Sequence, residues 1–330
     1  MTVIYRKRPA FEALPLRMGD PPFSAWGLYG PDDELGSLNL LTPEVVTEAA
    51  REVRTGVRIG LDLPINYIAE PSHSRQKLIH KVIRQGKNAV HDDVIEMNTQ
   101  ISTQWDGFRH YGYQESELFY NGVTVDEISG SNPTTKLGTH AWCRQGIVGR
   151  GVLLDYYRWS RSVGRDYELI GDYAIDVEDL KACAEAQQVT FKQGDILFVR
   201  SGWKVGFDAM NDQEKAVWGV ANPVRYVGVK TSVETLRWLW ETGFSACAGD
   251  APAWERFPAP PRERELGGIE NMCLHEIMLN GWGMPIGEMF DLERLSEECI
   301  RQGRHTFLLM SMPLNIPGGV GSPGNAVAVF

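Results

Sequence analysis

The chain has 330 residues, 43% of them hydrophobic, and a formal net charge of −10 at pH 7. That length is enough to bury a full core in one large domain or two ordinary ones. The acidic balance argues against nucleic acid as a partner, because phosphate binding draws on Lys and Arg, and no apolar run approaches the roughly 18 residues that a membrane span needs. Arg6-Lys7-Arg8 has no apolar stretch behind it, so it reads as a solvated patch and not as a secretory leader. The five cysteines (Cys143, Cys183, Cys247, Cys273 and Cys299) lie at least 26 residues apart and form no C-x-x-C pair. They are expected as small buried hydrophobes in a reducing, cytoplasmic setting.

Residues 1–40 are rich in Pro and Gly, with turn signals at Pro21-Pro22 and Gly30-Pro31-Asp32-Asp33. They predict an irregular arm that wraps the body or a neighbouring subunit at an oligomer interface, with the catalytic domain following over 41–330. Thr42 and Pro43 open a helix with an apolar stripe at Val45, Val46, Ala49, Ala50 and Val53, and Gly56 stops it. Val57 to Ile65 is expected as a strand. From Ala69 to Asn88 the chain is polar and basic, with His73 and His80, and a solvated loop is expected, with a mobile flap over a site as the alternative. A strand begins near Val94, and residues 115–145 carry loop signals. Gly151 to Tyr156 predicts a strand, Asp176 the cap of a helix to about Gln188, and Ile196 to Arg200 a buried strand. Ser232 caps a helix over 233–242. Phe244 to Cys247 is a strand, 251–261 a Pro- and aromatic-rich rim loop, Asp291 the cap of a helix to about Gln302, and Phe307 to Met312 a last strand. Helices and strands alternate irregularly, which gives a single-domain α/β or α+β class.

Two clusters carry chemistry. The first is Asn98 to Tyr113, where Asp106, Arg109 and His110 fall within five residues among Trp105, Phe108, Tyr111 and Tyr113. Exposing so many rings to water is unfavourable, and burying three charged groups unpartnered costs several kcal/mol each, so the mixture suits a pocket wall or a buried ion-pair knot. The second is Leu274-His275-Glu276, followed by Glu288. These are metal-ligand or acid–base residues, although a lone His on an apolar helix is more often structural. One literal G-x-G-x-x-G occurs at 319–324, but Pro323 lies inside it and six residues follow it, so it cannot open a helix and no nucleotide cofactor is expected.

Four segments together resemble the cyclase superfamily that includes kynurenine formamidase and isatin hydrolase: Thr103 to His110, Gly146 to Asp155, Gly194 to Trp203, and Pro313 to Ala326. The resemblance runs from about residue 55 to the end and implies the cyclase-type swivelling β/β/α fold, in a homodimer or homotetramer. The family motif H-x-G-T-H-x-D-x-P-x-H falls with its leading histidines on Gln100 and Gln104, its aspartate on Asp106, its proline on Phe108 and its last histidine on His110. The resemblance therefore implies acid–base chemistry at His110 and Asp106. Asp106, His275 and Glu288 would remain as ligands for one Zn or Mn, or the site is metal-free, since amide oxygens are weak ligands for such ions. The Gln-Trp-Asp sequence at 104–106 resembles one subgroup that has a histidine where His140 stands, which would either enter the pocket or be structural.

The favoured activity is hydrolysis of an amide, lactam or lactone bond in a small cyclic or aromatic substrate. Gln104, Gln100 or Arg109 would bind the oxyanion, and Trp105, Phe108, Tyr111 and Tyr113 would clasp the ring. A metal-independent cyclase or lyase is the alternative, and a non-catalytic small-molecule binding protein the third.

Overall fold

The computed structural model describes residues 8–258 and 272–330, and its framework is a nine-stranded mixed sheet. In chain order the strands are β1 (Arg58–Gly60), β2 (Ile79–Arg84), β3 (His91–Glu96), β4 (Gln104–Asp106), β5 (Ile147–Leu154), β6 (Ala174–Ile175), β7 (Ile196–Val199), β8 (Gly228–Val229), β9 (Ala246–Gly249), β10 (Ile286–Glu288), β11 (Thr306–Ser311), β12 (Gly321–Pro323) and β13 (Ala326–Val329). The large sheet runs β1-β13-β11-β5-β7-β9-β10-β4-β12. Its middle, β5 to β10, is parallel, and both flanks are antiparallel.

Parallel strands are covered on both faces and so read as unbroken apolar runs. This explains why Ile196-Leu197-Phe198-Val199 is fully legible as β7, and every residue of it is buried. One face packs on helices α4 (Val177–Ala186), α5 (Trp203–Ala209) and α7 (Val233–Thr242). The other packs on Trp105, Phe108, Trp142 and α8 (Glu293–Gln302). The remaining helices are α1 (Pro43–Ala49), α2 (Val125–Ser129), α3 (Tyr156–Ser162) and α6 (Asp212–Gly219).

Capping chemistry sets most helix starts. Thr42 accepts from Val45 N, and Ser232 from Thr235 N, while Gly243 ends α7 at φ 80°. Asp176 stands at the start of α4 but makes no capping hydrogen bond, because its carboxylate pairs with Lys230 at 2.9 Å. The strand expected over 57–65 shortens to β1. Asp62 turns away to accept from the N–H groups of Asn325 and Ala326. The expectation of a strand through Tyr156 is also corrected. Asp155 instead caps α3, accepting from Arg158 N.

The segment read as a solvated loop is in part the hairpin β2–β3, all twelve of whose residues are exposed, with His80 paired to Asp93 at 3.0 Å. Pairing across the turn brings an acid from 13 residues away, which spacing along the sequence does not reveal. From Arg8 onward the arm lies on its own chain. Arg8 stacks on Trp240 and donates to its carbonyl and to that of Phe244, and Trp26 Nε1 donates to Asn280 O. Arg8 is thus a fastening and not a solvated charge, while Arg6 and Lys7, with residues 259–261 of the rim loop, lie outside the described residues. Cys183, Cys247 and Cys299 are buried, and Cys143 and Cys273 partly so.

Candidate active site

Successive side chains on a strand point to opposite faces. On β4 this sends Gln104 and Asp106 to one side and Trp105 to the other, where it packs on Phe290 and donates from Nε1 to Ser311 Oγ. The neighbouring β10 places Glu288 directly across from Gln104. A tight turn follows β4, closed by His110 N to Gly107 O, and returns His110 towards Asp106. Gly107 makes that turn possible, since a Cβ there would meet Val320 O at 2.6 Å. His275 arrives from a helical turn that widens to π geometry over Glu276–Gly281, a distortion common at functional sites.

These elements bring Asp106, His275 and Glu288 together, with ligand atoms all within 4.8 Å of one another. His275 Nε2 lies 3.0 Å from Glu288 Oε1 and 3.5 Å from Asp106 Oδ2. Its Nδ1 is held by Glu255 Oε1 at 2.6 Å, and Glu255 also accepts from the N–H groups of Leu274 and His275 and from Thr231 Oγ1. His110 Nε2 stands 3.9 Å from Asp106 Oδ2, and its side chain remains about one-fifth exposed to the cavity. Gln100 donates to Asp106 Oδ1 at 2.5 Å, and Gln104 Nε2 donates to both Gln100 Oε1 and Glu288 Oε2.

The electrostatics follow from three buried carboxylates facing one imidazole. Burial works against the charge on His275, but the carboxylates around its ring, Asp106 at 3.5 Å and the hydrogen-bonded Glu255 and Glu288, outweigh it and hold its pKa well above the usual value. Burial likewise opposes the Asp106 and Glu255 carboxylates, yet the imidazoles around them and their N–H donors keep both below the ordinary range. Glu288 takes the excess charge: burial and the Asp106 carboxylate push it up to about 7. His110 is lowered by burial, with Asp106 only partly restoring it, so its imidazole is neutral near pH 7.

This arrangement fits a divalent ion. Tetrahedral Zn²⁺ with ligands about 2.0 Å away separates them by about 3.3 Å, matching the 3.0 and 3.5 Å edges around His275 Nε2. Asp106 Oδ2 is buried without a hydrogen-bond partner among the described residues. A carboxylate holding the outer ring nitrogen, as Glu255 does, fixes a ligating imidazole in the correct tautomer. The two glutamines turn N–H groups, not oxygens, towards the carboxylates. They act there as neutral donors, so the donor set is that of one ion.

His110, Glu255, His275 and Glu288 form the floor of a cavity of about 430 Å³, with Asp106 buried beside them. Tyr111, Tyr226, Pro252, Ala253 and Phe257 wall it, with His73, Arg75, Arg256 and Cys273. Tyr111 meets His275 edge-on at 5.9 Å. Several expected lining residues lie elsewhere. Trp105 is on the far face of β4, and Phe108 packs into the core on Tyr120 and Trp142. Tyr113 is core, its hydroxyl donating to Pro22 O. Arg109 cannot serve an oxyanion, because its guanidinium donates to the carbonyls of Ile128, Thr134 and Lys136. Gln104 cannot either, with both amide N–H bonds committed. His140 accepts from Gly318 N and borders a separate cavity of about 370 Å³ beside Asp32, Asp33 and Glu34. Glu276 turns away to accept from Gln114 N and Cys273 N.

Sequence reasoning missed Glu255, Arg75, His73, Tyr226 and Phe257. Glu255 was visible only as a lone acid in an aromatic stretch. His73 and Ser74 carry consecutive positive φ of 58° and 55°, a left-handed turn costing roughly 1–2 kcal/mol per residue that swings Arg75 into the cavity.

A family model described as "Putative cyclase" matches residues 33–256. A crystal structure described as that of a novel cyclase is 31% identical, with a TM-score of 0.79 over 93% of this chain and 99% of its own. Isatin hydrolase A from Ralstonia solanacearum superposes with a TM-score of 0.56 at 14% identity, over 87% of this chain and 97% of its own. Isatin hydrolase A from Labrenzia aggregata, bound to benzyl benzoate, gives 0.52 at 16%, over 88% and 98%. At such identities the likeness is one of fold. No curated protein gives a match.

Proposed function

The chain belongs to the cyclase family, and from that premise we propose that it hydrolyses an amide, lactam or lactone bond in a small cyclic or aromatic metabolite. Family neighbours that are hydrolases support enzyme chemistry of hydrolase or cyclase type. The observation that carries the finer reading is the convergence of Asp106, His275 and Glu288, with His110 beside them, at the floor of an aromatic-walled cavity.

Hydrolysis needs a nucleophilic water, a base for its proton, charge stabilisation at the carbonyl oxygen, and an acid for the leaving group. The 3.9 Å between His110 Nε2 and Asp106 Oδ2 is too long for a hydrogen bond, and Asp106 Oδ2 is closed off from the cavity, while His110 lines it and can bond a water there. Neutral His110 takes a proton from that water as its oxygen attacks the carbonyl carbon. When the C–N or C–O bond breaks, the resulting imidazolium returns the proton to the leaving nitrogen or oxygen. Asp106, kept ionised and fixed by Gln100, stabilises the imidazolium that forms 3.9 Å away. A Zn²⁺ or Mn²⁺ ion held by Asp106, His275 and Glu288 would supply Lewis-acid polarisation of the carbonyl. Tyr111 and Phe257 provide apolar faces for the substrate ring.

The test is turnover of a simple aromatic lactone, dihydrocoumarin, by the wild type and by Asp106→Asn and His110→Ala. The expected result is wild-type hydrolysis with kcat reduced at least about 100-fold in each variant. Undiminished hydrolysis in Asp106→Asn would overturn the reading. The glutamines at 100 and 104 favour a second reading, a metal-independent cyclase or lyase. There the Asp106/His110 pair would carry the proton transfers.

A further inference from the structure

Resting on the hydrolase reading, we propose that the substrate carries a carboxylate and that Arg75 is the residue that recognises it. Among the described residues lining the cavity, two carry a permanent positive charge, Arg75 and Arg256. Arg256 is committed, donating to the carbonyl and carboxylate of Asp172. Arg75 is half-buried, and its one side-chain hydrogen bond among the described residues runs from Nη1 to Gln100 O at 3.2 Å. A guanidinium has five N–H donors in a planar fork that matches a carboxylate edge-on. Four of the five are left for a ligand.

Its placement ties recognition to chemistry. Gln100 holds Arg75 with its backbone carbonyl and Asp106 with its side-chain amide, so the anion site and the reacting centre share one anchor. Arg75 also stands on the wall common to two cavities, the one above the centre and a neighbour of about 690 Å³ that shares His73, Arg75 and Phe257. A substrate lying with its scissile carbonyl at His110 would thus present a ring substituent at the guanidinium and have room beyond it. Two carboxylates, Glu255 and Glu288, line the cavity and Asp106 is buried beside them, and by themselves they repel an anionic ligand. With Arg256 committed, Arg75 is the described lining guanidinium left to pair with an anion. Its other role, offsetting the buried carboxylates, would leave no preference between charged and neutral ligands of one shape.

Benzoate and benzamide differ in charge and little else, so they separate the two roles without turnover. Isothermal titration into the wild type should give a Kd for benzoate at least about ten-fold below that for benzamide, or about 1.4 kcal/mol. Arg75→Gln should abolish the preference and Arg75→Lys retain part of it, since an ammonium keeps the charge but not the fork. A wild type that does not prefer benzoate, or an Arg75→Gln protein that still does, would overturn the proposal. Dihydrocoumarin hydrolysis, read separately, reports on the hydrolase reading alone.

Discussion

Glu255→Gln isolates the residue that orients His275. In the wild type each Glu255 oxygen accepts two hydrogen bonds, Oε1 from His275 N and Nδ1 and Oε2 from Leu274 N and Thr231 Oγ1. An amide of the same shape must turn an NH₂ towards one of these pairs. If it faces Leu274 and Thr231, the hydroxyl can rotate to accept but the Leu274 N–H is orphaned. If it faces His275, the His275 N–H is orphaned and the ring must give up its Nδ1 proton and keep one on Nε2, which removes the lone pair needed to hold an ion with Asp106 and Glu288. An orphaned buried donor costs about 1–3 kcal/mol. Loss of a carboxylate behind a ligating imidazole typically lowers metal affinity or activity by about 10–100-fold. The variant should therefore unfold at lower urea than the wild type and bind Zn²⁺ about 10–100-fold more weakly in a competition titration with a chromogenic chelator. Wild-type stability together with wild-type zinc affinity would refute the orienting role.

Two further perturbations probe features away from the centre. Arg109→Met strips three backbone carbonyls of their donor. It should destabilise the protein by about 2–4 kcal/mol in urea unfolding while leaving the kcat of the folded enzyme on dihydrocoumarin near the wild-type value. His305 is held below its ordinary value near 6.5 by burial, with Asp155 partly opposing. A group whose folded pKa is depressed in this way favours the neutral form, so the stability it leaves intact above about pH 6.5 is lost as the pH falls through that value. The wild-type urea midpoint should drop more steeply between pH 7.5 and 5.5 than that of His305→Gln, and parallel curves would exclude the effect.

How much of this was legible in the sequence depended on how local each determinant is. The buried parallel strand β7, the cap and stop of α7 and the Asp106/His110 spacing are written in neighbouring residues, and the structure brings those two side chains within 3.9 Å of each other. The aromatics around them misled because β4 is three residues long. One step along it reverses the face, so Trp105 becomes core while its neighbours do not. Arg109 was read as chemistry because a guanidinium beside a carboxylate invites pairing. It instead satisfies carbonyls at residues 128, 134 and 136, a demand set by a loop 19–27 residues away. Glu255 and Arg75 could not be found from spacing at all. They reach His275 and Gln100 only through tertiary folding, and Arg75 does so by way of a left-handed turn at two non-glycine residues.

Metal stoichiometry tests the account at its centre. Elemental analysis of protein purified without chelators or a histidine tag should find about one Zn or Mn per chain in the wild type, lost in Glu288→Ala and in His275→Ala while circular dichroism shows both variants folded. A folded wild type without metal that still hydrolyses dihydrocoumarin, or variants that keep the full complement, would contradict a one-ion hydrolytic centre at Asp106, His275 and Glu288.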